Sequence, residues 1–314
     1  MITVLTVLTA TYIFLVTSPK FTKWHRSGQA VWPKRQFIYL PPPKTGSMIT
    51  RAQLRRFCDD HHMKCLGQSW PCRHIEHCVL YDPIVKHQLN NIFWAAFTDA
   101  RLRQCCPNST QIASSIGFDA SLFHLYLADN ATRQFYHRYL SQNAFKFTFL
   151  RNPVDQFVSF FHFVTKGHAS IYREYIKVVG QKPKLKHFVK IVHRNLRKNT
   201  TIPVEHKHLY ATLQNIQSRV LGWTGSRRSL NSVVTSLRTE FDFVCISEQL
   251  PKCWRKLRAQ LGWSNKYFNP KLLATQNTTK YSISAELRRK IEFIQRADVQ
   301  VYKRAKSIFQ SLQR

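Results

Sequence analysis

Two short apolar runs that end in a cation-bearing loop and restart as helices constrain this chain more than anything else in it. The first is FIYLPPPKTGSMIT, residues 37–50, and the second is FKFTFLRNPVDQFVSFFHF, residues 145–163. Phe37 to Leu40 reads as a buried strand that three prolines bar from continuing. From Met48 onward Leu54, Phe57 and Cys58 recur at helical spacing, which leaves Arg51, Arg55 and Arg56 for the solvent side. In the second run Phe145, Phe147 and Phe149 alternate with Lys146 and Thr148, a strand pattern ending at Leu150. Asn152 then suits a helix N-cap, Pro153 the first helical position, and Phe157, Phe160, Phe161 and Val164 an apolar helix face. Junctions of this kind turn amide N–H groups toward a ligand and favour anions. Their repetition points to an α/β chain.

The rest of the chain extends that pattern. Residues 165–240 are basic and mostly helical in pattern, with a loop around Gly222 to Ser229, and Phe241 to Ile246 reads as a further strand before a helix over Leu250 to Leu261. From Ser284, the spacing of Leu287, Ile291, Ile294, Val301, Ala305 and Ile308 predicts one long amphipathic C-terminal helix. Residues 59–120, rich in Cys, His, Asn, Ser and Pro, read as an irregular insertion tied by disulfides. Trp254 and Trp263 are expected in the core or in the wall of a binding cleft.

Charge narrows the partners. Lys and Arg outnumber Asp and Glu by 48 to 16 in 314 residues, a formal charge of +32 spread from Lys20 to Arg314. Such a surface favours polyanions: nucleic acid, sulfated or uronic-acid glycans, anionic lipid or a nucleotide. Residues 2–16, ITVLTVLTATYIFLV, carry no charge and read as a signal-anchor or a cleaved secretory signal. The basic residues follow this run, against the positive-inside tendency for a lumenal C-terminal part. The expected layout is a signal-anchor over 1–18, a short stem over 19–35 and a lumenal domain over 36–314.

Four Asn-X-Ser/Thr sequons, at Asn108, Asn130, Asn199 and Asn277, fit a lumenal route. So does an even count of eight cysteines, of which the first six (Cys58, Cys65, Cys72, Cys78, Cys105 and Cys106) read as disulfide-forming, with open connectivity. A zinc site built from Cys65, Cys72, Cys78, His74 and His77 is disfavoured, because these cysteine spacings do not match structural zinc knuckles.

The two loops also carry a resemblance. "PKTGS" and "LRNPVDQFVSFFHF", whose Ser159 follows Arg151 by eight residues, are similar to the 5'-phosphosulfate and 3'-phosphate loops of Golgi carbohydrate sulfotransferases. The stretches "NAFKFTFLRNP" and "FVSFFHF" resemble the galactose 3-O-sulfotransferases, galactosylceramide sulfotransferase among them, and "FDFVCISEQLPKCWRKLRAQLGW" with Glu248 is compatible with these. The segment "ATQNTTKYSISAELRRKIEFIQRADVQVYKRA" looks more like the heparan and uronyl 2-O-sulfotransferases. Pro43, Met48, Ile49 and Asn152 depart from the family pattern, which has a His before the lysine in the galactose branch, hydroxyl residues after the Ser, and Asp after the Arg.

The resemblance implies a P-loop-NTPase-like sulfotransferase fold, α/β with a central parallel sheet flanked by helices, and a donor, PAPS (3'-phosphoadenylyl sulfate), with no metal. Lys44, Thr45, Gly46 and Ser47 would take the 5' side of the donor, with Lys44 stabilising the leaving phosphate. Arg151 and Ser159 would hold the 3'-phosphate. A general base must take the acceptor proton, and histidine suits near-neutral pH. The family has such a histidine upstream of the second loop; His124, 27 residues before Arg151, is the candidate, with His137 and His162 as alternatives. The implied protein is a single-pass type II Golgi membrane enzyme that sulfates a galactose-containing glycolipid or glycan. Sulfation of uronic acid in a heparan- or dermatan-type polymer is the alternative. A glycan-binding protein on a degenerate sulfotransferase scaffold is the non-enzymatic reading, and a nucleic-acid binder is the reading least favoured. Asn277 to Lys280 suit a glycosylated turn or a nucleotide contact.

Overall fold

The computed structural model describes residues 36–61, 65–66, 120–121, 127–128, 144–165, 182–264 and 281–311, together with a few isolated positions. The chain divides into Met1–Pro33 and Lys34–Arg314, and all described residues belong to the second unit. The N-terminal apolar run, the stem, most of the Cys-rich insertion, His124, His137, Asn277 to Lys280 and the sequons at Asn108, Asn130 and Asn277 lie outside the described residues.

The architecture is α/β, with a small open parallel sheet in the order β2-β3-β1-β4-β5. Its central strand is β1 (Phe37–Tyr39), with β4 (Phe145–Leu150) and then β5 (Phe243–Ile246) on one side and β3 (Ala120–Ser121) and then β2 (Cys65–Leu66) on the other. Phe37 and Tyr39 pair with Phe145 and Phe147, and Phe147 and Phe149 pair with Phe243 and Cys245. Side chains alternate across a strand, so these residues share one face. Against it pack α1 (Ser47–Asp60) through Leu54, Phe57 and Cys58, and a later helix, Leu250–Leu261, through Trp254, Leu257 and Leu261. The tight phenylalanine alternation predicted from the sequence is thus an aromatic seam, with Tyr39 stacked on Phe147 at 5.0 Å. Trp254 is 1% exposed inside it and Trp263 packs on its edge, so both belong to the core.

The helices after β4 are α2 (Pro153–Val164), α3 (Leu185–Arg197), α4 (Val204–Leu213), α5 (Ile216–Val220) and α6 (Arg227–Thr239); after β5 a turn leads into α7 (Leu250–Leu261), then α8 (Ala285–Ile294) and α9 (Arg296–Ser311). Leu150 and Val244 on the opposite sheet face are covered by α6 and α9 through Leu230, Val233, Leu237, Ala297 and Val301. A second cluster joins α2, α3, α4 and α8.

Three sequence expectations need correction. The C-terminal helix is two helices, because Gln295 leaves helical geometry and turns its amide to the Asn215 N–H and the Leu213 carbonyl. The Asn215 side chain then accepts from the Ala297 and Asp298 amides, restarting the chain as α9. Arg51 is not on the wet side: it is half-buried, and desolvation pulls its guanidinium down against the opposing effect of Tyr39. Disulfide bonding also extends beyond the first six cysteines, for Cys245 in β5 is bridged to Cys253 in α7, with Cα atoms 5.9 Å apart. Cys58 is disulfide-bonded as well.

Candidate functional site

The strand order itself selects a crevice. From β1 the chain leaves through α1 toward β2 on one side of the sheet, and from β4 it leaves through α2 toward β5 on the other. Adjacent parallel strands whose connections diverge open a cleft at their carboxyl ends, the usual ligand position in such sheets. The loops at those ends are 40–46 and 151–152, the same two that the sequence singles out.

The first loop is held by its carbonyls. The Thr148 hydroxyl donates to Leu40 O at 2.6 Å and the Thr45 hydroxyl to Pro42 O at 2.7 Å. Gln156 Nε2 donates to Pro43 O and Arg151 Nη1 to Lys44 O, both at 3.0 Å. Within a planar trans peptide the C=O and N–H point in opposite directions. The amides of Lys44 and Thr45 therefore face away from Gln156 and Arg151. Next come the opening amides of α1, whose first helical bond to the loop is Thr50 N to Gly46 O. Lys44 and Gly46 take left-handed φ values of 64° and 82° on either side of Thr45. Turns with left-handed residues gather neighbouring amide N–H groups, and such concavities suit anions. Glycine adopts a left-handed φ without strain at 46, whereas at Lys44 it carries a cost.

The second loop starts where β4 ends. Asn152 caps α2 through Oδ1, accepting from Val154 N at 3.0 Å and Asp155 N at 3.4 Å, so it does the capping work an aspartate would do here. Its own N–H donates to Glu248 Oε1 at 2.6 Å, and Tyr302 donates its hydroxyl to the other Glu248 oxygen. Arg151 is half-buried; desolvation lowers its pKa, opposed by the nearby Asp155, Glu248 and Tyr281. Asp155, Ser159, His162 and Phe163 are the residues of α2 that are not buried, and their spacing puts them on one stripe. The Lys44 ammonium lies over the Phe163 ring, 4.7 Å from its centroid, a cation–π contact on that stripe. His162 stacks on Tyr281 at 4.1 Å.

The structure thus brings Lys44, Thr45, Gly46, Arg151 and the Ser159 stripe of α2 to one end of the sheet. Ser47 opens α1. Thr45 is fully buried with its hydroxyl turned to Pro42, so its outward contribution is the amide alone. His124 lies outside the described residues, and His162 is the alternative base that falls on the stripe. Among the described residues no group of three or more His, Cys, Asp or Glu side chains is arranged to hold a metal ion.

Sequence reasoning missed Gln156 and Gln217. Gln156 left a faint signal, an amide on the apolar face of a Phe-rich helix. Gln217, whose side chain brackets the Arg151 backbone, left none, being 66 residues away. No protein-family model matches this chain, and no curated protein matches it.

Proposed function

We propose that this chain is a PAPS-dependent carbohydrate O-sulfotransferase. The observation that carries the reading is the 3.0 Å hydrogen bond from the Arg151 guanidinium to the Lys44 carbonyl, which joins the two cation-bearing loops at the β1/β4 divergence. One donor with an anionic group at each end of a nucleoside can be gripped by both. An adenosine carrying a 5'-phosphosulfate and a 3'-phosphate has that form.

In the proposed reaction an acceptor hydroxyl attacks sulfur in line, the bond from sulfur to the bridging phosphate oxygen breaks, and adenosine 3',5'-bisphosphate leaves. Negative charge grows on that oxygen, and preorganised donors aimed at it lower the barrier. The Lys44 ammonium and the amides from Thr45 to Ser47 serve this role, and Arg151 with Ser159 holds the 3'-phosphate as a charge-assisted pair. The acceptor proton passes to a histidine, with His124 the candidate from sequence. The scaffold is proposed as P-loop-NTPase-like.

The acceptor is a galactose-containing glycolipid or glycan, as the "FVSFFHF" similarity suggests. The formal charge of +32 favours the second reading, a uronic-acid polymer sulfated at O2. The buried Cys245–Cys253 bridge and the exposed Asn199 sequon support a lumenal location, with the N-terminal apolar run as a Golgi membrane anchor. Incubating the full chain with radiolabelled PAPS and a panel of galactosides, galactolipids and desulfated heparins tests the reading. Label on a galactoside that is lost in Lys44→Ala supports it, and label on desulfated heparin alone selects the uronic-acid alternative. Glycan binding without transfer to any acceptor leaves the degenerate scaffold as the better account.

A further inference from the structure

Arg151 is held by more than its own loop. Where β4 ends, the main chain of Arg151 is bracketed by one side chain: its N–H donates to Gln217 Oε1 at 2.8 Å, and its carbonyl accepts from Gln217 Nε2 at 2.9 Å. A primary amide here plays the part of an adjacent strand. Gln217 is 1% exposed and sits in α5. It is fixed in turn from α9, because the Asp298 carboxylate accepts from Gln217 N at 3.1 Å, Ser218 N at 2.7 Å and the Ser218 hydroxyl at 2.6 Å. All three residues are buried, so none of these groups has water as a substitute partner.

We propose that Gln217 is a positioning residue for the 3'-phosphate, holding the Arg151 backbone in register so that the guanidinium meets an anion at the mouth of the crevice, with Asp298 as the anchor of Gln217. This deepens the donor reading above and rests on it. The physical reason is leverage: an arginine side chain is long and rotamer-rich, and a shift of its backbone is carried to the guanidinium.

The test is nucleotide selectivity in the full chain. Affinities for adenosine 3',5'-bisphosphate and for adenosine 5'-phosphate are measured by calorimetry for the wild-type protein, Gln217→Ala and Gln217→Glu. The wild type is expected to prefer the bisphosphate. Gln217→Ala removes both bonds while leaving Arg151 intact, and is expected to weaken bisphosphate binding about tenfold with the monophosphate nearly unchanged. Gln217→Glu keeps an acceptor for the Arg151 N–H and loses the donor to its carbonyl, so a loss of about threefold is expected. A Gln217→Ala protein that discriminates as the wild type does overturns the proposal, as does an equal loss for both nucleotides, which marks a merely structural role. If Gln217→Ala does not fold, an undiminished preference in the near-isosteric Gln217→Glu overturns it. A wild type with no preference for the bisphosphate removes the donor reading, and this inference with it.

Discussion

At the residue scale, the proposed function concentrates in the contact between Arg151 and Lys44. Arg151→Ala removes both the cation expected at the 3'-phosphate and the donor to the Lys44 carbonyl. Affinity for adenosine 3',5'-bisphosphate is expected to fall by about 30- to 100-fold in titration calorimetry, on the scale of a lost charge-assisted pair. Asp298 offers a different test. Burial raises its carboxyl from 3.8 to about 6, against the hydrogen bonds from Ser218 and Gln217 and the nearby Arg219. The folded chain therefore holds this proton more tightly than the unfolded chain does. The stability this proton linkage contributes is present at low pH and is lost as pH rises from about 4 to about 6. In urea denaturation, the stability of wild type relative to Asp298→Asn should decline between pH 4.5 and pH 6.5. A difference that is flat across that range, or rises, contradicts the assignment.

At the element scale, the second junction is a helix start under two kinds of control. Locally, Asn152 Oδ1 and Pro153 satisfy the first turn of α2. Replacing Asn152 by Ala leaves two amides without that acceptor and is expected to cost about 1 kcal/mol in chemical denaturation. Non-locally, the Asn152 N–H is taken by Glu248 from beyond β5. The cap was legible from the order Asn-Pro followed by an apolar periodicity, because it depends on neighbours in sequence. Glu248 was visible only as a residue near a strand end, and its bond to Asn152 spans 96 residues. The break at Gln295 was hidden for the same reason: the apolar spacing runs on through it, and the partner that splits the helix, Asn215, comes from another part of the chain.

At the scale of the whole molecule, the sheet is covered on both faces and stapled on one. The Cys245–Cys253 bridge closes a separation of only eight residues. Loop-closure entropy for so short a ring predicts a stabilisation of about 2.5 kcal/mol. The double variant Cys245→Ala, Cys253→Ala should unfold at correspondingly lower denaturant concentration, whereas a midpoint unchanged within error contradicts a stabilising bridge. Asn199 takes a left-handed conformation at φ 53° beyond the end of α3, exposed and followed by Thr200 and Thr201. If the chain travels the secretory route, a mammalian secretory host should add a glycan there. A peptide-N-glycosidase mobility shift reduced by one step in Asn199→Gln is the expected result, and an identical shift contradicts it.

The amino-acid sequence by itself determined the two strand–loop–helix junctions, the cap at Asn152, the phenylalanine face and the excess of positive charge. Each of these depends on residues a few positions apart or on composition, and such short-range rules of period, capping and turn chemistry act before the chain is folded. Tertiary structure decided what those junctions amount to. Only the parallel order of the strands brings the loops after β1 and β4 side by side, and only then do Arg151 and Lys44 touch across 107 residues. Gln217, Asp298 and Asn215 acquire their roles the same way, because a buried amide or carboxylate takes its meaning from whichever backbone groups the fold leaves needing a partner.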